Sequence, residues 1–218
     1  MNRILMFLLA SLCLATSVLA QSPDDHGKQL VDEFIEDVES FSGNFEQVLI
    51  DADGEVIERT TGTLEISRPG KFRWSYVEPY EQWLIADGLN IWSYDVDLAQ
   101  VTVKPQSDAL ANTPALLLSG SANALDQFDY EGSYDETVTT WVKLAPKNTD
   151  SGFLRMELGF IDDTLNRMVF FDNLEQTTLV EFRDVAVNGQ IDPARFEFVV
   201  PDGVDVVGKP AVADTPES

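Results

Sequence analysis

Cysteine and histidine are almost missing from this chain. Its 218 residues hold one of each, Cys13 and His26. One histidine cannot build a zinc or iron cluster, and a Ser-His-Asp apparatus would have to use His26, which lies in a helix start with nothing to place it in a cleft. No GxSxG elbow and no phosphate-binding glycine loop occur. Basic residues are scarce as well: 14 Lys and Arg stand against 38 Asp and Glu, for a formal net charge of −24. Nucleic acid is excluded as a partner, because binding it needs phosphate-neutralising cations. Anionic lipid headgroups repel such a surface. That repulsion would suit a shuttle that must leave membranes, but a salty habitat or plain solubility is the stronger explanation of the acidic surface. With 38 acids to choose from, no carboxylate pair stands out for glycoside chemistry. Asp51-Ala52-Asp53-Gly54-Glu55 has part of a calcium-loop pattern but lacks its third ligand position and terminal Glu. It reads as a hairpin turn. No cofactor is implied.

Long apolar runs are missing after the first twenty residues. Within those twenty, Arg3 gives a basic start, Ile4 to Val18 an apolar stretch, and Val18-Leu19-Ala20 a cleavage site. This is a secretory signal, 1–20, with cleavage expected after Ala20; an uncleaved anchor is the alternative. Cys13 does not read as a lipid-attachment cysteine: bulky Leu12 precedes it and apolar sequence continues past it. Cleavage removes the only cysteine, so the mature chain has no disulfide, thiol nucleophile or soft metal ligand. About 198 residues remain (218 minus 20), enough for one substantial core in one domain, expected over 21–208 and followed by a loose tail, 209–218.

The mature chain opens helical and then turns β. Ser22-Pro23-Asp24-Asp25 is a helix start, with a cap, a proline in the first turn and acids against the dipole. Leu30, Phe34, Val38 and Phe41 recur at helical spacing, and Gly43 reads as the stop. From Asn44 the period becomes two. Strands are predicted near 45–50, 56–66, 71–77, 81–85, 90–94, 100–104, 127–130, 137–145, 153–161, 166–171, 176–187 and 195–200. Asn112-Thr113-Pro114 caps a short apolar segment, Ala115 to Leu118, read as a second helix. About eleven antiparallel strands must curl, since a flat sheet that wide exposes edges and an apolar face. Two short helices cannot cover both faces, so the expected arrangement is a curved sheet with helices over its concave side, enclosing an apolar hollow. Seven aromatics crowd into 23 residues: Phe72, Trp74, Tyr76, Tyr80, Trp83, Trp92 and Tyr94. Alternation puts Phe72, Trp74 and Tyr76 on one face of one strand, either as ordinary core or as the lining of a binding hollow.

The run Arg68-Pro69-x-x-Phe72-x-Trp74, the Asp87-Gly88 turn, Trp92-x-Tyr94-Asp95 and Gln100-Val101 together resemble the periplasmic outer-membrane lipoprotein carrier family, LolA. Thr113-Pro114 and Asp172 to Thr177 are weaker echoes. The resemblance covers Ser22 to about Val207. It implies a mainly β fold: an incomplete, half-open antiparallel β-barrel with a lid of short α-helices over an apolar cavity. It implies a non-enzymatic, monomeric periplasmic chaperone. Such a carrier takes lipoproteins by their acyl chains from an inner-membrane ABC transporter and hands them to an outer-membrane receptor. Carried over residue by residue, Arg68 bonds to lid backbone and holds the empty lid closed, and Phe72 lies on the surface that meets the transporter. Phe34, Val38, Trp74, Tyr76, Trp92, Pro114, Leu116 and Leu117 are candidates for cavity wall or lid. A periplasmic lipid-binding sensor domain of the same fold stays open, although such proteins usually carry a second domain. So does the anchored receptor, which would need a lipid-attachment cysteine.

Overall fold

The computed structural model describes residues 23–110, 117–118, 120, 124–148 and 152–212. Helix α1, Pro23–Glu36, lies ahead of β1 (Ser40–Ile50), β2 (Val56–Ser67), β3 (Lys71–Glu78), β4 (Gln82–Asp87), β5 (Asn90–Asp95) and β6 (Gln100–Pro105). A five-residue helix α2, Gln106–Leu110, follows. The second series comprises β7 (Phe128–Glu136), β8 (Thr139–Pro146), β9 (Phe153–Ile161), β10 (Thr164–Asp172), β11 (Thr177–Val187) and β12 (Asp205–Gly208). The strands form one twelve-stranded sheet in the order β12-β6-β5-β4-β3-β2-β1-β11-β10-β9-β8-β7. Two antiparallel meanders are joined where β1 pairs with β11, and β7 and β12 are left as edges, so the sheet stays open.

Alternation sorts the sheet into two apolar faces. On the concave side Phe45, Leu64, Phe72, Leu158 and Phe182 belong to one continuous core. Helix α1 seals that core with Leu30, Val31, Phe34 and Ile35, packing on β7 and β8. The approach is close: a Cβ on Gly27 would overlap Ser133 of β7.

The outer face of the first meander is covered too, which the sequence reading missed. Ile85, Val101 and Val103 are buried on that side, opposite Leu64 and Phe72. Residues 195–200, predicted as a strand, instead begin in a short 3-10 turn, Pro193–Phe196, capped by the Asp192 side chain accepting from the Ala194 N–H. The turn buries Phe196 and brings Phe198 against Trp92 and Tyr94, with centroids 5.4 and 5.9 Å apart. The chain then returns as β12, which pairs parallel to β6 and raises the strand count to twelve. The segment expected as a loose tail is held at its start. Buried Asn90 donates to the Ala211 carbonyl at 3.1 Å and accepts from the Ala211 N–H at 2.6 Å.

Helix α1 is shorter than its apolar spacing suggests. It ends at Glu36, and Ser40 to Gly43 belong to β1. Phe41 and Phe45 are four apart, a spacing that keeps one face in a strand as well as in a helix. Pairing of 40–43 with both β2 and β11 decided for the strand.

Candidate functional site

Helix α1 needs an outside partner at its C-terminus, because its last carbonyls have no partner within the helix and its last turn holds no basic residue. Arg68 supplies that partner from the turn between β2 and β3. Its Nη1 donates to the carbonyl oxygens of Phe34, Ile35 (3.2 Å) and Val38 (2.9 Å). Its Nε donates to the Leu118 carbonyl at 3.4 Å and its Nη2 to that of Leu117 at 3.2 Å. One side chain thus ties the end of α1, the 117–118 segment and the β2–β3 turn together. The guanidinium carbon also sits 4.7 Å from the centroid of the Phe34 ring. Burial pushes the guanidinium down to about 10, so it remains charged at neutral pH. Among the described residues no carboxylate forms an ion pair with it. Backbone carbonyls and the Phe34 ring stabilise this cation, the carbonyls by charge-assisted bonds each worth roughly 1.5–3 kcal/mol.

Gly120 makes room for Arg68. Its φ is +61°, and a Cβ there would overlap Cγ, Cδ and Nε of Arg68. Nothing in the sequence marked this residue beyond its place at the end of an apolar segment. Gly120→Ala is expected to raise amide exchange in α1 by about tenfold or more, the equivalent of losing one charge-assisted bond. Backbone strain at positive φ would also cost stability, but it acts whatever residue stands at 68. In an Arg68→Ala background, which removes all three overlapped atoms, Gly120→Ala should change α1 exchange by less than about threefold. An equal effect in both backgrounds would assign the loss to strain alone.

The structure unites some of the remaining candidates and separates others. Phe34, Trp74 and Leu117 lie in the concave core, and Val38 and Tyr76 pack half-buried against it. Trp74, Tyr76 and Phe45 form an aromatic group: Trp74 stacks on Tyr76 at 6.2 Å, and Phe45 meets both edge-on at 5.3 and 5.4 Å. Burial, with a smaller push from Glu58, raises the Tyr76 hydroxyl to about 12, so it is neutral. Pro114 and Leu116 lie outside the described residues.

Two expectations are corrected. Trp92 is not on the concave wall. Its strand neighbour Ile91 takes that face, and Trp92 points outward, donating from Nε1 to Asp87 at 2.7 Å and packing on Phe198. An odd spacing from Ile91 fixes this, and only the pairing of β5 with its neighbours reveals which parity faces in. Phe72 is not on a surface. It is 0 % exposed and sits in the core, so here it offers nothing to a partner.

The model of the family described as "Outer membrane lipoprotein carrier protein LolA" matches residues 36–199. The chain belongs to the LolA family. Relatives span nearly its full length. The outer-membrane lipoprotein carrier protein of Nitrosomonas europaea is 36 % identical over 95 % of this chain and 99 % of its own. That of Chromohalobacter salexigens is 38 % identical over 91 % and 93 %. Among solved structures, an uncharacterized conserved protein from Thermus thermophilus superposes with a TM-score of 0.54 at 15 % identity, covering 84 % of this chain and 98 % of its own, which is a likeness of fold. Against the LolA background the Arg68 cluster is the feature with no counterpart elsewhere among the described residues: a half-buried cation whose hydrogen bonds all go to carbonyls, at the seam between helix and sheet.

Proposed function

We propose that this chain is a periplasmic carrier that shelters the acyl chains of outer-membrane-directed lipoproteins. The observation that carries the reading is Arg68 fastening α1 and the 117–118 segment over a continuous apolar face. An apolar face covered by a helix needs no polar fastening to stay shut permanently. A half-buried guanidinium hydrogen-bonded only to carbonyls makes sense where the cover must also come off, since hydrogen bonds are directional and are lost after a small displacement. The names of the full-length relatives, outer-membrane lipoprotein carrier proteins, agree with this reading.

The physical task sets the design. Three long acyl chains exposed to water would cost on the order of 30 kcal/mol at ~0.8 kcal/mol per methylene. A concave apolar face takes over that burial, with α1 and the 117–118 segment as its lid and Arg68 as the latch. Loading from an inner-membrane ABC transporter opens the latch; transfer to an outer-membrane receptor lets it close. The carrier works as a monomer, starts near Gln21 after signal cleavage, and performs no catalysis.

Native mass spectrometry of the protein taken from its own cell envelope tests this. The expected species begins near Gln21, carries no fatty chain of its own, and co-purifies in part with a lipoprotein. In parallel, an apolar fluorescent probe should bind saturably and be displaced by a triacylated peptide. A protein that neither retains lipoprotein nor takes up the probe would sink the carrier reading.

A further inference from the structure

Trp74 presents a second, unused polar group to the concave face. Its side chain shares that face with Phe72 and Tyr76, pairs across the sheet with Leu64 and Leu84, and is 8 % exposed. Its Nε1 is fully buried and, among the described residues, has no hydrogen-bond partner. The indole nitrogen is a donor only, so it cannot be relieved by a neighbouring N–H or by protonation. Two of the other three tryptophans have an acceptor: Trp83 donates to Glu81 at 3.1 Å and Trp92 to Asp87 at 2.7 Å. Trp141 also lacks a partner among the described residues, but its register opposite Gly159 puts it on the outer face, away from the core residues Val142 and Leu158. Trp74 is therefore the orphaned indole of the apolar face itself.

Resting on the carrier reading above, we propose that Trp74 Nε1–H is a polar anchor for an ester carbonyl of the bound lipid. Hydrocarbon chains carry no acceptor. The carbonyls that join them to glycerol do, and they would enter the concave face with the first methylenes. The flanking rings of Phe45 and Tyr76, 5.3 and 6.2 Å from the indole, shield such a bond from water and hold the indole plane. Buried polar groups that stay unpaired in the empty protein and pair with the ligand give selectivity rather than stability. Trp74 would then select esterified chains over bare hydrocarbon and fix how deep the glyceryl group sits, a second fixed point distinct from the Arg68 seam.

The test uses two ligands of equal chain length competing with an apolar fluorescent probe for the mature protein: dipalmitoylglycerol, with ester carbonyls, and di-O-hexadecylglycerol, with ethers. The wild type is expected to prefer the ester about fivefold, the range of one net hydrogen bond. Trp74→Phe keeps a ring and deletes the N–H. It should bring the preference to within about twofold of unity while leaving ether binding within about threefold. The preference is then read with an S-diacylglyceryl peptide and with a diacyl phospholipid, each against its ether analogue. Retention in both assigns the anchor to the ester itself, and retention with the peptide alone assigns it to the lipoprotein head group. Should Trp74→Phe fail to fold, the wild type decides, because equal binding of ester and ether overturns the proposal. So does an ester preference that survives Trp74→Phe. Either of those results, with probe uptake intact, leaves the carrier reading standing, whereas absence of any uptake removes both.

Discussion

Arg68→Leu is expected to load lipoprotein from inner-membrane fractions at close to the normal rate and to pass it on at a tenth of the normal rate or less. In the proposed latch one guanidinium makes five donor contacts, two to the last turn of α1, one to Val38 just past it and two to the 117–118 segment. In the proposed carrier, closing competes with occupancy, because the helix covers the concave face that an acyl chain would take. A single charge-assisted bond is worth about 1.5–3 kcal/mol, so removing the cluster shifts the balance toward the open, occupied state by a factor of about ten at the least. Leu also fails to provide a donor for the orphan carbonyls of α1, whose last turn has no cation of its own. Arg68→Lys is expected to fall between Leu and wild type. It restores a charge, but an ammonium cannot reach both segments as the planar fork does. Loading and transfer are read separately, with inner- and outer-membrane fractions. An Arg68→Leu protein that transfers normally would reduce the cluster to a packing detail and leave the carrier reading on the fold alone.

What the sequence disclosed and what it hid follow one physical division. Local signals were legible. Pro23 with its flanking acids began α1, and the Asp51-Ala52-Asp53-Gly54 turn separates β1 from β2, Asp51 accepting from the N–H groups of Asp53 and Glu55. The open β architecture and its helical cover were legible too, because period-two runs of that number leave few alternatives. Facts that depend on pairing partners were not. Trp92 and Ile91 are adjacent in sequence, and either could have faced the core. The turn at Pro193–Phe196 hid inside a segment rich in strand formers, since its reason lies in the outer pocket that Phe196 fills. The acceptors of Arg68 are backbone carbonyls, which every residue owns and no sequence pattern marks. Only the donor carried a signal, through the resemblance of its motif. Gly120 and the orphaned Nε1 of Trp74 are likewise visible only once neighbours are placed.

Phe72→Ala is expected to lower the thermal midpoint sharply, by about 6–20 °C, because emptying a fully buried phenylalanine site costs about 3–5 kcal/mol and each kcal/mol moves a domain of this size by about 2–4 °C. The ring is 0 % exposed and its register partners, stiff β-branched Ile66 and small Ala86, are held in place by strand pairing and cannot fill the space. Phe72→Leu keeps most of the volume and should cost much less, under about 1.5 kcal/mol. The pair of variants separates the two roles open to this residue. A side chain that serves by touching a transporter from the surface would leave the midpoint within the range of ordinary surface substitutions, about ±0.5 kcal/mol, while loading collapsed for Ala and Leu alike. A core side chain gives the opposite pattern, in which loading tracks stability and Leu restores both. Thermal unfolding of the empty protein, paired with loading from inner-membrane fractions at a temperature where each variant is folded, reads the two patterns directly. A Phe72→Ala midpoint within about 1 °C of wild type, with loading lost, would return the ring to a partner surface and require β3 to turn its Phe72 face outward when the lid opens.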